Sequence, residues 1–318
     1  MSHWKRLAGA SGLALLAAAV EAASDTTPGK QGAAAEPVPL WAFPGPDNKS
    51  IPGSKQAFSW VQMYDRTAAV DWFPEDHPPM PAAVKGHLPV YACGFCHLPQ
   101  GAGRPENAAL AGLPYAYIKQ QIDDMKSGAR TVVHPSFGPG INMMLTIKQV
   151  SATDADEAAK YYSQLTYKKH VKIIEANEIP HVTANAFVYV FDTTGAREPL
   201  GERIVEGPDD FELLEMRDPR LTITAYVPVG SIARGAALAK GDGGARLSCE
   251  SCHGAGLEGG PIAPPIAGRP LTATFRQLYA FKIGTRHGAG AALMKPVVAG
   301  LSQTEMIDLT AYVGSLDP

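Results

Sequence analysis

Cysteine is scarce in this 318-residue sequence: there are four, all in two close pairs. A small fold held by many disulfides is therefore excluded, while the length and 45% hydrophobic residues suffice for two modest cores. Excess positive charge is lacking too. The net charge of -3 provides no basic field for nucleic acid or an anionic membrane surface. Beyond the N-terminal leader, no apolar run approaches the roughly 20 residues a membrane-spanning helix needs. Glycine and proline are plentiful, 32 and 27 residues, which implies long irregular connections.

Residues 1–23 have the parts of a secretory signal: Lys5 and Arg6, an apolar stretch from Leu7 to Val20, and small residues around Ala22 and Ala23. Cleavage would leave a soluble, mildly acidic protein outside the cytoplasm, with no transmembrane anchor. Residues 24–56, rich in Ala, Pro and Gly, read as a flexible arm. A helix is expected between Gln56 and Val70, bringing Phe58, Trp60, Val61 and Tyr64 against the first domain. The proline-rich stretch Phe73 to Pro81 follows as a rigid cover, with His77 and Met80 as packing residues.

The cysteines occur as Cys93-Gly-Phe-Cys96-His97 and Cys249-Glu-Ser-Cys252-His253. Disulfides or a zinc site built from two knuckles would use the thiols, but neither accounts for a histidine directly after each pair. The pentapeptide is the haem c attachment signature. Its two thiols add to the two vinyl groups of the porphyrin, and the next residue is placed as the proximal iron ligand. Cys93, Cys96, Cys249 and Cys252 are thus candidates for covalent attachment of two haem c groups, with His97 and His253 as axial ligands.

A shift of 156 residues carries Cys93 onto Cys249 and keeps register through Pro105 and Pro261, Gly112 and Gly268, Gln121 and Gln277, Lys126 and Lys282, and Arg130 and Arg286. Beyond that the shift becomes 151, matching Met143 to Met294, Ser151 to Ser302 and Tyr161 to Tyr312. One unit is therefore present twice, the first copy five residues longer before its methionine. Each copy predicts a middle helix, Tyr115 to Ser127 and Leu271 to Ile283, begun near a proline and ended by glycine. Each also predicts a closing helix behind a capping box, Ser151 with Asp154 and Ser302 with Glu305. In the second copy Met306, Leu309, Tyr312, Val313 and Leu316 should give that helix one buried face. A short helix from Ser231 to Leu238 should lead into the second motif.

Met143 and Met294 recur at matched positions, on what reads as a loop before the closing helix, and are candidate distal iron ligands. A thioether there favours ferrous iron and raises the potential. Met144 is the alternative to Met143, and His134 and His287 could supply bis-histidine ligation instead. Arg130 and Arg286 would pair either with haem propionates or with helix carbonyls.

These residues resemble the bacterial di-haem cytochromes c built from two class I cytochrome c domains. The likeness rests on both Cys-x-x-Cys-His motifs, Leu110-Ala-Gly-Leu-Pro with Tyr117 and Gln121, Lys126-Ser-Gly with Arg130, and the methionine ahead of the closing helix. It covers residues 90–167 and 231–318. The resemblance implies a mainly α fold, three to five helices around each haem, and a role in moving single electrons between redox proteins in the periplasm. The whole chain then reads as a signal peptide (1–23), an arm (24–56), a first cytochrome c domain with an N-terminal extension (57–167), a connecting β-rich segment (168–230) and a second cytochrome c domain (231–318).

In the connector, residues 186–191, 202–205 and 221–227 are β-type runs and predict a small antiparallel sheet. The charged stretch Asp209 to Arg220 between them reads as solvated surface, with partner docking as the sharper alternative. Three functional classes remain. An electron carrier needs both irons closed by His and Met. A di-haem enzyme of the peroxidase or thiosulfate dehydrogenase type needs an open or unusually ligated iron with acid–base groups beside it. A cytochrome subunit of a dehydrogenase complex uses carrier chemistry with a fixed partner. A methionine for each site and no identifiable acid–base pair favour the carrier over an enzyme.

Overall fold

The computed structural model describes residues 47–242 and 247–318. The expected leader at 1–23 and the arm from 24 to 46 lie outside the described residues. Helices predominate, with short strands gathered in small sheets. Among the described residues no helix is long and apolar enough to cross a membrane.

The middle helices Tyr115–Ser127 and Leu271–Ile283 have the expected bounds. Pro114 and Pro270 precede them with nearly equal dihedrals (φ -56, ψ 138 and φ -55, ψ 139), and left-handed Gly128 and Gly284 end them. The closing helices Ala152–Gln164 and Gln303–Ser315 both start at the predicted capping boxes, with Ser151 and Ser302 accepting from Asp154 N and Glu305 N. The entry helix of the second copy runs Ser231–Lys240. It crosses the closing helix so tightly at Gly235 that a Cβ there would lie 2.0 Å from the Asp308 carbonyl oxygen.

The closing helix of the second copy buries more than one face. Met306, Leu309 and Val313 are buried as expected, but so are Ile307, Asp308, Thr310 and Ala311. The entry helix covers one side, where Arg234 holds Asp308 in two 2.8 Å bonds, and the connector strand carrying Ile173 covers another. A single amphipathic stripe is the rule for a helix with one partner, and this helix also packs on the middle helix Leu271–Ile283, which makes three.

The connector departs from a purely antiparallel sheet. Val171–Glu175 pairs in parallel with Ile223–Val227, which pairs antiparallel with Val205–Pro208. A parallel pair needs a crossover, and here the long excursion between its strands supplies one. That excursion contains two antiparallel pairs, Glu178–Pro180 with Arg197–Pro199 and Val182–Asn185 with Val188–Phe191. Val171, Leu214, Ile223, Ala225 and Val227 share a core with Leu271 and Ala311, so one core spans the connector and the second copy. Buried Glu206 accepts from Leu271 N at 2.7 Å and Thr272 N at 3.2 Å, capping the second middle helix from the connector.

The N-terminal extension is more ordered at its start and less helical than the sequence implies. Asn48–Lys49 pairs with Phe58–Ser59 and Ile51 is buried, so the last part of the expected arm is structured. The expected helix covers only Trp60–Tyr64, because Asp65 Oδ1 accepts from Thr67 N and Oγ1 and turns the chain away. Met63 is its buried residue, whereas Val61 and Tyr64 are exposed. Trp72 Nε1 donates to Met216 O at 2.6 Å, fastening the extension to the connector.

Candidate functional site

The first motif forms the short helix Cys93–His97, and in the second the helix is Glu250–His253. No disulfide joins the cysteines. The pairs lie apart, Cys93 against the core of the first copy and Cys249 against that of the second. Burial pushes the Cys93 thiol up to about 12.

Each histidine is anchored in the same way. His97 Nδ1 lies 2.8 Å from Ala108 O, and His253 Nδ1 lies 2.8 Å from Pro264 O, the equivalent position of the repeat. Burial holds both rings below the ordinary imidazole value, against the opposing pull of those carbonyls. A neutral ring that gives its Nδ1 proton to a carbonyl presents the Nε2 lone pair, which is the form a metal ligand requires. The chain then turns sharply, at Gly254 (φ 78) in the second copy and at Leu98 (φ 64) in the first. Leu98 thus bears a strain that glycine avoids.

The methionines occupy helices rather than loops. Met143 and Met144 lie in Gly138–Ile147, and Met294 begins Met294–Ala299. Proline in the first turn of each helix, Pro139 and Pro296, is compatible with helix because its missing N–H has no partner to lose there. Met143 packs on the same core as Cys93, and Met294 on the same core as Cys249. Met80 and Met125 also reach the first core, so there the repeat register is what distinguishes Met143. Met143 and Met144 both line a cavity of about 100 Å³ with Arg130, Phe137, Arg276 and Gln277. His134 and His287 are exposed and bonded locally, to Ser136 and to Gly284 O. Lys126 Nζ donates to Val150 O at 2.6 Å, and Lys282 Nζ to Leu301 O, so equivalent lysines tie each methionine segment to its middle helix.

Arg130 and Arg286 use neither helix carbonyls nor carboxylates. Each guanidinium donates to both Gln121 Oε1 and Gln277 Oε1, at 2.9 to 3.1 Å, across the junction of the two copies. Arg286 also donates to Tyr117 Oη. Burial and the charge of Arg286 bring Arg130 down to about 10, and the charge of Arg130 bears on His97. A buried and a half-buried cation facing neutral acceptors are a site short of anionic charge.

Two further buried arginines have no signal in the sequence, one supplied by the connector and one by the second copy. Arg217, expected on a solvated stretch, is only 5% exposed, with its guanidinium 3.9 Å from the centre of the Phe95 ring. Arg269 is buried and donates to Ala109 O and Ala111 O, beside the carbonyl that holds His97. Arg217 had no signal in composition, because alternating charge looks the same on either side of an interface.

Residues 232–317 match the family described as Cytochrome c. Cytochrome c-554(548) of Halomonas halodenitrificans is 38% identical over 69 residues, 21% of this chain and 83% of that protein. Cytochrome c4 of Pseudomonas aeruginosa is 23% identical over 236 residues, 74% of this chain and 88% of that one. Among solved structures, a thiosulfate dehydrogenase from Marichromatium purpuratum aligns with 26% identity and a TM-score of 0.49, over 72% of this chain and 37% of that chain. The chain belongs to the cytochrome c family. A cytochrome c domain implies covalently held haem c, and the residues present fit it: paired thiols, a carbonyl-anchored neutral histidine, and buried guanidiniums suited to the carboxylates of a porphyrin.

Proposed function

We propose that the protein is a di-haem c-type cytochrome with two class I domains in tandem, passing single electrons between redox proteins of the periplasm after cleavage of its signal peptide. The observation that carries this reading is the repetition of one arrangement: a histidine directly after a Cys-x-x-Cys pair, its Nδ1 2.8 Å from an equivalent carbonyl in each copy.

Cys93 and Cys96 would hold one haem by thioether bonds, and Cys249 and Cys252 the other. Each bound haem supplies a one-electron ferric/ferrous couple. His97 and His253 would each supply Nε2, and Met143 and Met294 a thioether sulfur, as ligands to the iron. With these ligands all supplied by the chain, substrate would be kept from the metal and only electrons would pass. Arg130 and Arg286 are placed to hold porphyrin carboxylates and exclude water at the junction of the copies. The similarity to cytochrome c4 over three quarters of the chain supports the same reading.

Mass spectrometry of the mature protein from a haem c-maturing host is expected to show two added porphyrins. The reduced form is expected to leave carbon monoxide unbound, and the ferric form to carry the absorption band of methionine-ligated haem. Rapid carbon monoxide uptake with peroxide or thiosulfate turnover would replace the carrier by an enzyme.

A further inference from the structure

The two copies share their hydrogen bonds closely yet differ in what covers the attachment motif. In the second, Glu250 and Ser251 are exposed. In the first, the equivalent Gly94 and Phe95 are buried, and a Cβ at Gly94 would lie 2.8 Å from Ala69 Cβ of the extension. Over Phe95 lies Arg217, held by Nη1 donating to Glu215 O at 2.9 Å, with its Nε buried and without a hydrogen-bond partner. Its backbone sits at φ 61, unusual for a residue with a side chain, and is fixed there by Met216 packed in the Trp72 core.

The acids nearby are engaged elsewhere. Glu215 accepts from Tyr64 Oη at 2.6 Å and lies 3.6 Å from Arg104, while Glu106 lies 3.2 Å from Arg104. Among the described residues no carboxylate lies within ion-pair distance of the Arg217 guanidinium. Glu215 and Glu106 act on Arg217 only at longer range, and a strained, desolvated cation with no carboxylate in contact is costly to keep, so the fold expends stability to hold positive charge against this motif. Arg104 and Arg66 add to it at Cys96, opposed there by Glu106. The second motif has serine where the first has Phe95, so it offers no ring for a guanidinium to lie over.

Ferric iron carries one more positive charge than ferrous, and a fixed cation in a low-dielectric setting disfavours the ferric form. We propose that Arg217 is a positioning residue for charge, raising the reduction potential of the first haem above that of the second, so that an electron entering at the exposed second motif comes to rest on the first. The inference relies on the di-haem reading above.

The test is spectroelectrochemical titration of the holoprotein, with porphyrins counted by mass. The wave that persists in the C249A/C252A protein is assigned to the first site. In Arg217→Gln that wave is expected to move to lower potential while the other stays, and Arg217→Lys, which keeps the charge, is expected to stay near the native value. A purely packing role would lower the melting temperature in both variants and leave both potentials in place. If Arg217→Gln does not accumulate with two porphyrins, Phe95→Ser removes the ring beneath the guanidinium and is expected to lower the same wave. Two porphyrins with both waves unmoved, or moved together, would overturn this inference alone. Fewer than two porphyrins in the native protein would overturn it together with the proposed function.

Discussion

His77 is surrounded by the partners of an imidazolium. Its Nε2 lies 3.1 Å from Asp71 Oδ1 and its Nδ1 2.8 Å from Pro78 O, with Tyr161 Oη at 2.9 Å. Tyr161 in turn donates to Pro99 O, two residues past His97, so the extension is tied to the first motif through this ring. Burial opposes the charge, but the bonds to Asp71 and Pro78 and the charges of Asp71 and Asp76 raise the ring above its ordinary 6.5. A group raised by folding contributes fully below its unfolded value and loses that contribution as pH rises through the folded one. The melting temperature of the holoprotein is therefore expected to fall as pH rises from the ordinary imidazole value of 6.5 through the raised one, and Asp71→Asn to flatten this part of the curve. A native and a variant curve that stay parallel across this range would show that the pair is not coupled to folding. His77 was legible only as a packing residue, because its acid lies six positions back in a loop and no periodicity joins them.

At the scale of elements, what could be read in advance was what local chemistry determines. The middle helices fell at their expected bounds and the closing helices at their expected starts, because proline, a capping box and a left-handed glycine act within a few residues. The methionine helices escaped notice because Gly138-Pro139-Gly140 and Pro296 have the composition of a loop, though both prolines fall in a first turn that tolerates them. Strand partners in the connector were hidden for another reason: Val171–Glu175 finds its neighbour only after the chain has made its long excursion. Ser302→Ala removes the acceptor for Glu305 N and is expected to cost about 1 kcal/mol in denaturant unfolding, with both potentials retained. Lys282→Met acts differently. It frees Leu301 O and Ala299 O, loosening Met294–Ala299, so the methionine–iron absorption band at the second site should bleach at a lower temperature than in the native protein while the helix signal persists.

The whole molecule is organised about the junction of its two copies, where a pseudo-two-fold arrangement joins equivalent residues. Arg130 bridges Arg286, Thr131 N donates to Thr285 O at 2.7 Å, and His287 N donates to Ala129 O at 2.8 Å. The recurrence of Gln121 with Gln277 and of Arg130 with Arg286 was visible in the sequence. Recurrence alone implies the same role twice, however, and cannot distinguish four separate contacts from one shared cluster. The cluster is shared: each glutamine oxygen accepts from both arginines, so losing one glutamine leaves both guanidiniums short of an acceptor. Gln121→Leu and Gln277→Leu should each cost about 2 kcal/mol, the loss of bonds to a buried charge. If the junction acts as a unit, the second loss adds less than the first, because both guanidiniums are already under-satisfied. A double-mutant cycle by denaturant unfolding is therefore expected to show coupling of at least about 0.5 kcal/mol, whereas strictly additive costs would mean that each copy satisfies its own arginine.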